Sequence, residues 1–177
     1  GISYTRGKPT LQAGLSYQHP SGLYMGTWAS GVQLKEDSPD YEIDGYLGWY
    51  TPLSDRFALD TTLTHYRFPG DSDVEIDAYN EVTVRALYDD ALMVGWRRAK
   101  DFLGSEHDKS ALELAYTLHT GSFSIEMLTA THKYHSFDDD FNFGNEQRDN
   151  YWQFRLGVGR SHGASDYQLS LDRTNLC

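Results

Sequence analysis

The stretch YEIDGYLGWY, residues 41–50, alternates apolar and polar side chains. Successive side chains of a β-strand point to opposite faces of the sheet. One face would carry Tyr41, Ile43, Leu47 and Trp49, and the other Glu42, Asp44 and Tyr46. The stretch therefore predicts a strand with one apolar face and one charged face.

The same alternation recurs along the whole chain, and no segment with helical periodicity and capping residues competes with it. It predicts ten strands, at residues 11–19, 23–34, 41–50, 56–68, 78–88, 91–99, 111–119, 123–135, 151–161 and 167–174.

The connections between these strands alternate between short and long. The short ones are 20–22, 51–55, 88–90, 120–122 and 162–166, and the long ones are 35–40, 69–77, 103–110 and 136–150. Outer-membrane barrels have short turns at the periplasmic end and long loops outside. We therefore predict an all-β fold, an antiparallel up-and-down transmembrane β-barrel that occupies residues 1–177 as one domain.

Strand parity extends this prediction. A closed bacterial barrel has an even number of strands and no free edge. Residues 2–5 would be the stub of a first strand, and a last strand would follow residue 177. With the ten strands above, the expected total is twelve, of which ten or eleven are visible.

Composition restricts the function classes. Only 39% of the residues are hydrophobic, and no stretch approaches the 18 apolar residues of a membrane helix, but barrel strands need only every second residue to be apolar. The net charge of −11 argues against nucleic-acid binding, which needs clustered Lys and Arg. The one cysteine, Cys177, allows neither an intramolecular disulfide nor a cysteine-based metal site.

A membrane barrel makes the orientation of each face predictable. The apolar face should point to lipid, with Leu15, Ile43, Leu47, Val84, Val94, Leu114 and Leu156 outward. Aromatic girdles should lie at both rims, because Tyr and Trp favour the bilayer interface. The candidates close to turns are Tyr17, Tyr24, Trp28, Trp49, Tyr50, Tyr66, Trp96, Tyr116, Phe123, Tyr134, Tyr151, Trp152 and Tyr167.

The polar face would then line the interior of the barrel. The candidate pore-lining residues are Glu42, Asp44, Asp60, Glu81, Arg85, Arg97, Glu113, Glu126 and Arg155. They could form a paired structural network that fills the barrel, since an unpaired charge in a narrow interior is costly. They could instead form a constriction that selects permeants by charge, and the excess of acids favours cations.

No catalytic, metal or cofactor site is predicted. Asp138, Asp140 and Asn142 have the spacing of a calcium loop, but Gly144 comes one position too late and strands flank the loop. A solvated acidic loop is the better interpretation. The seven histidines are scattered, and there is no G-x-S-x-G, Walker A or dinucleotide motif. We therefore expect no enzymatic activity.

The first hundred residues resemble the TorF-type porins of proteobacteria, a family long listed as conserved hypothetical proteins. The matching residues are Gly1, Ile2, Ser3, Pro9, Gln12, Gly14, Ser21, Gly22, Gly26, Thr27 and Trp28, together with the strand at 41–50 and the strand end HYRFPG at 65–70. The resemblance implies a pore in the outer membrane of a Gram-negative bacterium, and implies no substrate.

Three functions follow from these predictions. The first is a porin-like channel for passive diffusion of small solutes, in contact with outer-membrane lipids. The second is a plugged barrel whose long loops bind a second copy or another protein. The third is a soluble ligand-binding β-barrel. The third differs from the others in which face is charged: a soluble barrel would expose Glu42 and Asp44 to water.

Overall fold

The computed structural model describes residues 12–32, 40–69, 77–135, 149–162 and 165–175. Within these ranges the chain is all-β, with ten antiparallel strands joined in sequence order into one up-and-down sheet. The strands are β1 (Gln12–Gln18), β2 (Leu23–Val32), β3 (Asp40–Pro52), β4 (Phe57–Arg67), β5 (Tyr79–Tyr88), β6 (Leu92–Lys100), β7 (Lys109–Thr120), β8 (Phe123–Tyr134), β9 (Asn150–His162) and β10 (Ser165–Thr174). Between β6 and β7 lies a single 3₁₀ turn, Phe102–Gly104. None of the described ranges contains a helix able to cross a membrane.

All ten predicted strands and their up-and-down order are confirmed, with ends that agree to within two residues. β1 and β10 form the two edges of the sheet and do not pair with each other. Barrel closure and the count of twelve strands therefore stay predictions. The stub at residues 2–5, the candidate calcium-loop residues 138–144 and Cys177 lie outside the described residues.

The two faces of the sheet differ in chemistry and in burial. We call the buried face the inner face. It carries Glu81, Glu113 and many small residues, among them Ala99, Ala111, Ala115, Ala130 and Gly95. The opposite, outer face exposes most large hydrophobic side chains of the strands. Leu15 is 75% exposed, Leu114 47% and Leu156 40%, and Ile43, Leu47 and Val94 are exposed too. Val84 lies on the same face, half-buried among its neighbours.

The sheet curls around its inner face. Glu42 on β3 and Arg155 on β9 line the same cavity of about 290 Å³. In a flat sheet these strands would lie six strand spacings apart, about 29 Å. No second layer of the described structure covers the inner face, so the curl itself accounts for its burial. Curling of this kind gives a trough with charged groups inside and hydrocarbon outside.

The aromatic girdle prediction is wrong for six residues. Strand alternation puts Tyr24, Trp28, Tyr50, Tyr66, Tyr134 and Tyr151 on the inner face, and Tyr134 is only 1% exposed. Proximity to a turn fixes the height of a residue in the sheet, but its face is set by odd or even position along the strand. The other predicted aromatics are exposed on the outer face: Tyr17, Trp49, Trp96, Tyr116, Phe123, Trp152 and Tyr167.

Candidate functional site: a charged inner face

All nine predicted interior residues lie on the inner face. The structure divides them into two groups. Asp60, Glu81, Arg85, Arg97, Glu113 and Arg155 form ion pairs. Glu42, Asp44 and Glu126 form no ion pair with any described residue. The interior therefore combines a neutralised network with unpaired acids.

Arg97 on β6 is the centre of the paired group. Its Nε donates to Oε1 of Glu81 at 2.9 Å, and its Nη1 donates to Oε1 of Glu113 at 3.1 Å. The Tyr66 hydroxyl donates to the same oxygen of Glu81 at 3.3 Å. Both carboxylates are buried, so the guanidinium supplies the charge and the donors that they would otherwise lack.

Glycine residues let the network cross strands. Arg85, Gly95 and Glu113 are successive cross-strand partners on β5, β6 and β7. Because Gly95 has no side chain, Arg85 Nε passes over β6 to within 3.7 Å of Glu113 Oε2. Arg85 Nη1 also contacts Asp60 Oδ2 at 3.4 Å. An alternating series of acids and arginines thus runs across β4 to β7.

At its β4 end the series reaches a tyrosine whose side chain also crosses a strand over a glycine. Tyr24 on β2 lies over Gly48 of β3 and donates from its hydroxyl to Asp60 Oδ1 at 2.7 Å on β4. The hydroxyl also contacts the Thr62 side chain. We name the connected set Tyr24, Asp60, Arg85, Glu113, Arg97, Glu81 and Tyr66 the charge ladder.

A second, separate group lies near the other edge of the sheet. Arg155 Nε on β9 donates to Asp172 Oδ1 at 2.9 Å on β10, and Gln153 Nε2 donates to the same oxygen at 3.0 Å. This pair is more exposed than the ladder, with Arg155 at 36% and Asp172 at 28% of the side-chain surface.

Aromatic side chains cover the inner face at the long-loop end. The buried cluster contains Tyr79, Ala99, Phe102, Tyr134 and Tyr151, with Tyr66, Phe68 and Leu103 packed against it; we call this the aromatic lid. The Phe102 ring packs edge-on against Tyr79 at 5.0 Å. Lys109 Nζ lies 4.1 Å from the centre of the Phe102 ring, so the lid also holds a cation.

The loop that carries Phe102 inward has a strained backbone. Asp101, Leu103 and Glu106 all have φ between +46° and +60°. This region costs a non-glycine residue about 1 kcal/mol. The Phe102 N–H donates to the His107 carbonyl at 2.9 Å and helps hold the loop in place. Nearby, the Arg98 guanidinium donates to Asp108 at 2.7 Å, which holds the pKa of that carboxyl below its usual range.

The cavity beneath the lid brings together charged residues from several strands. Glu42, Glu81, Arg97, Lys109, Glu113 and Arg155 line it, with His132 and Gln153. Glu42 faces it without an ion-pair partner among the described residues. Asp44 Oδ1 is buried and accepts no hydrogen bond from a described residue. The lining of the cavity therefore holds three acids and three bases, and its negative charge is local to Glu42.

Sequence reasoning misses four residues of this site. Lys109 falls in the predicted loop 103–110, but β7 begins at Lys109 and alternation makes it inner. No sequence pattern indicates that Phe102 is buried, because its burial depends on the fold of a loop. Tyr24 and Tyr66 could have been found from strand parity, which assigns both to the inner face.

The model of one protein family matches residues 1–172, and its description reads bacterial protein of unknown function (Gcw_chp). The chain belongs to this family. No curated protein matches the chain. No solved structure matches it either. The family description names no activity, so the resemblance to TorF-type porins stays a prediction.

Proposed function

We propose that the chain builds the wall of a β-barrel in the outer membrane of a Gram-negative bacterium and lets small solutes, cations in preference, diffuse through it. The observation that carries this proposal is the distribution of side chains between the two faces. Hydrocarbon is exposed along the strands, whereas the strand carboxylates are on the buried face. Soluble monomers rarely expose a continuous apolar surface of more than a few hundred Å².

The loop lengths favour the outer membrane over other locations. The described short turns connect β1 to β2, β3 to β4, β5 to β6 and β7 to β8, and all lie at one end of the sheet. The long connections lie at the other end. This asymmetry is typical of bacterial barrels with periplasmic turns and extracellular loops. The TorF resemblance is consistent with the same location.

A plugged barrel is the second candidate, and the aromatic lid favours it. The lid buries Phe102 and Tyr134 at the end where solutes would enter from outside. The charge ladder also occupies part of the interior. A plugged barrel would act through its long loops, as a surface for a second copy or another protein.

Conductance separates the two candidates. The purified chain is reconstituted into planar lipid bilayers, and the current is recorded under applied voltage in KCl. The channel proposal expects discrete conductance steps. Their absence from a correctly inserted protein would favour the plugged barrel.

The ion preference should depend on an acid that has no ion-pair partner among the described residues. Glu81 and Glu113 are both ion-paired with Arg97, so Glu42 is the better choice. We expect cation preference at low salt, where the Debye length is about 10 Å at 0.1 M, and loss of preference at about 1 M. Glu42→Gln should reduce the cation preference at low salt, which is measured as the reversal potential across a KCl gradient. Asp55→Asn in an exposed turn is the control, and an equal effect of both changes would contradict this role for Glu42.

The lid should limit the current. Phe102→Ala removes the ring that joins Tyr79 and Tyr134, and we expect a larger single-channel conductance. Phe123→Ala is the matched control, because Phe123 is exposed on the outer face at the short-turn end. An unchanged conductance in Phe102→Ala, with correct folding shown by circular dichroism, would place the lid outside the conduction path.

A further inference from the structure

The outer-face side chains of the strands, as far as the structure describes them, include cations and no acids. Among the strand side chains that the structure describes, all seven carboxylates are on the inner face: Glu42, Asp44, Asp60, Glu81, Glu113, Glu126 and Asp172. The outer face has six basic residues: Arg67, Arg98, Lys100, Lys133, Arg160 and Arg173. The chain has a net charge of −11, so six cations and no acid among the described strand side chains of one face are not expected from composition alone.

Five of these six cations lie at the long-loop ends of their strands. Arg67 ends β4, Lys100 ends β6, and Arg98, Lys133 and Arg173 lie within two residues of a strand end. We call these five the basic rim. The short-turn ends of the outer face carry Arg160 and the aromatics Tyr17, Trp49, Phe57, Tyr88, Phe123 and Tyr167, whereas the exposed aromatics near the long-loop ends are Tyr41 and Trp152. The two rims of one apolar surface therefore differ in their number of cations, five at the long-loop end and one at the short-turn end.

The densest part of the basic rim spans β6 to β8. Arg98, Ser110 and Lys133 are successive cross-strand partners, so Arg98 and Lys133 are two strand spacings apart, about 10 Å. Lys100 is two residues further along β6, about 7 Å from Arg98. Arg98 is paired with Asp108. Lys100 and Lys133 are exposed and have no ion-pair partner among the described residues.

We propose that the basic rim binds the phosphate groups of anionic lipid headgroups in the leaflet at the long-loop end. This inference rests on the proposed membrane location. Lys and Arg at the edge of an apolar surface extend their charged ends toward the headgroups while their methylene groups stay in hydrocarbon. Each Lys or Arg near an anionic membrane surface strengthens binding to that surface about fivefold. A spacing of about 10 Å between rim cations allows one headgroup with two phosphates, or two neighbouring lipids, to contact the patch.

Quenching of tryptophan fluorescence by brominated lipids tests which lipids contact the basic rim. Trp96 lies two residues from Arg98, and Trp152 lies opposite Thr131, two residues from Lys133; both are exposed on the outer face. A Trp49→Phe background removes the outer tryptophan at the short-turn end. The full chain is reconstituted into vesicles of phosphatidylcholine that contain brominated phosphatidylglycerol or brominated phosphatidylcholine, whose acyl chains quench any indole they touch.

We expect brominated phosphatidylglycerol to displace phosphatidylcholine from the rim at low salt, and the preference to weaken at about 1 M NaCl. The double variant Lys100→Gln and Lys133→Gln should lower the preference for phosphatidylglycerol over phosphatidylcholine about 25-fold. If the original preference is smaller than that, the two lipids should bind equally. The matched control is Arg56→Gln with Arg160→Gln, two cations at the short-turn end, and it should keep the preference.

The assay separates this inference from the proposed function. If brominated phosphatidylcholine fails to quench Trp96 and Trp152, the membrane location is wrong and the inference is wrong with it. If it quenches them but both lipids bind equally, only the inference is overturned. An equal loss in the control variant would also overturn it, because net charge and not the rim would then decide the preference.

Discussion

Leu114→Arg is expected to destabilise the bilayer-inserted protein by about 2–4 kcal/mol. Leu114 lies near the middle of β7 on the outer face and is already 47% exposed in the isolated chain. At such a site in a water-soluble protein, arginine would change stability by less than about 0.5 kcal/mol. At the middle of a bilayer the guanidinium must leave water. The cost is measured by urea unfolding of the protein folded into phosphatidylcholine vesicles.

The matched control is Thr120→Arg, on the same strand and the same face. Thr120 ends β7 beside the short turn, where the interface should be and where the cost of a charge falls to about 0–1 kcal/mol. The membrane proposal thus predicts a large difference between two arginines on one strand. Equal effects at the two positions would show that the outer face does not contact hydrocarbon.

Arg97→Met is expected to lower the free energy of unfolding by about 3–5 kcal/mol. The change leaves the carboxylates of Glu81 and Glu113 buried, and removes the guanidinium that both accept hydrogen bonds from. Methionine has a similar volume, so the loss comes from charge and not from a cavity. Unfolding in urea, followed by circular dichroism or by mobility on unheated gels, measures it.

The triple variant Arg97→Met, Glu81→Gln and Glu113→Gln tests the cause. Because neither carboxylate that Arg97 contacts remains, it should recover most of the stability that the single change loses. Arg56→Met is the control for loss of an arginine, since Arg56 is exposed and its contact with Asp89 is 3.6 Å long. Failure of the triple variant to recover would mean that Arg97 acts through packing.

Strand positions and faces were predictable from sequence because a strand alternates with a period of two residues. Residues 41–50 show this: Ile43 and Leu47 are exposed and Glu42 is on the inner face, as the alternation requires. The order of strands followed from the alternation of connections: short ones force neighbours to pair as antiparallel hairpins, and long ones at the opposite end are typical of up-and-down barrels.

Pairing within the interior was not predictable, because it depends on register and curl. Arg85 reaches Glu113 only because the register places Gly95 between them. Nothing in the local sequence of β5 or β7 indicates that alignment. The aromatic lid depends likewise on the inward path of the loop at Phe102, where the backbone adopts conformations that sequence preference disfavours.

In the proposed channel, the small residues of the inner face would set the size of the solutes that pass. Ala99, Ala111, Ala115 and Ala130 are buried where the long ladder side chains need room. Strand number sets the backbone diameter of a β-barrel, but the free cross-section is what the inner side chains leave open. Exchange of one alanine for a larger residue would narrow it with no change in the backbone. Under the channel proposal, proteins that share this sheet would therefore pass solutes of different sizes while they keep the same fold.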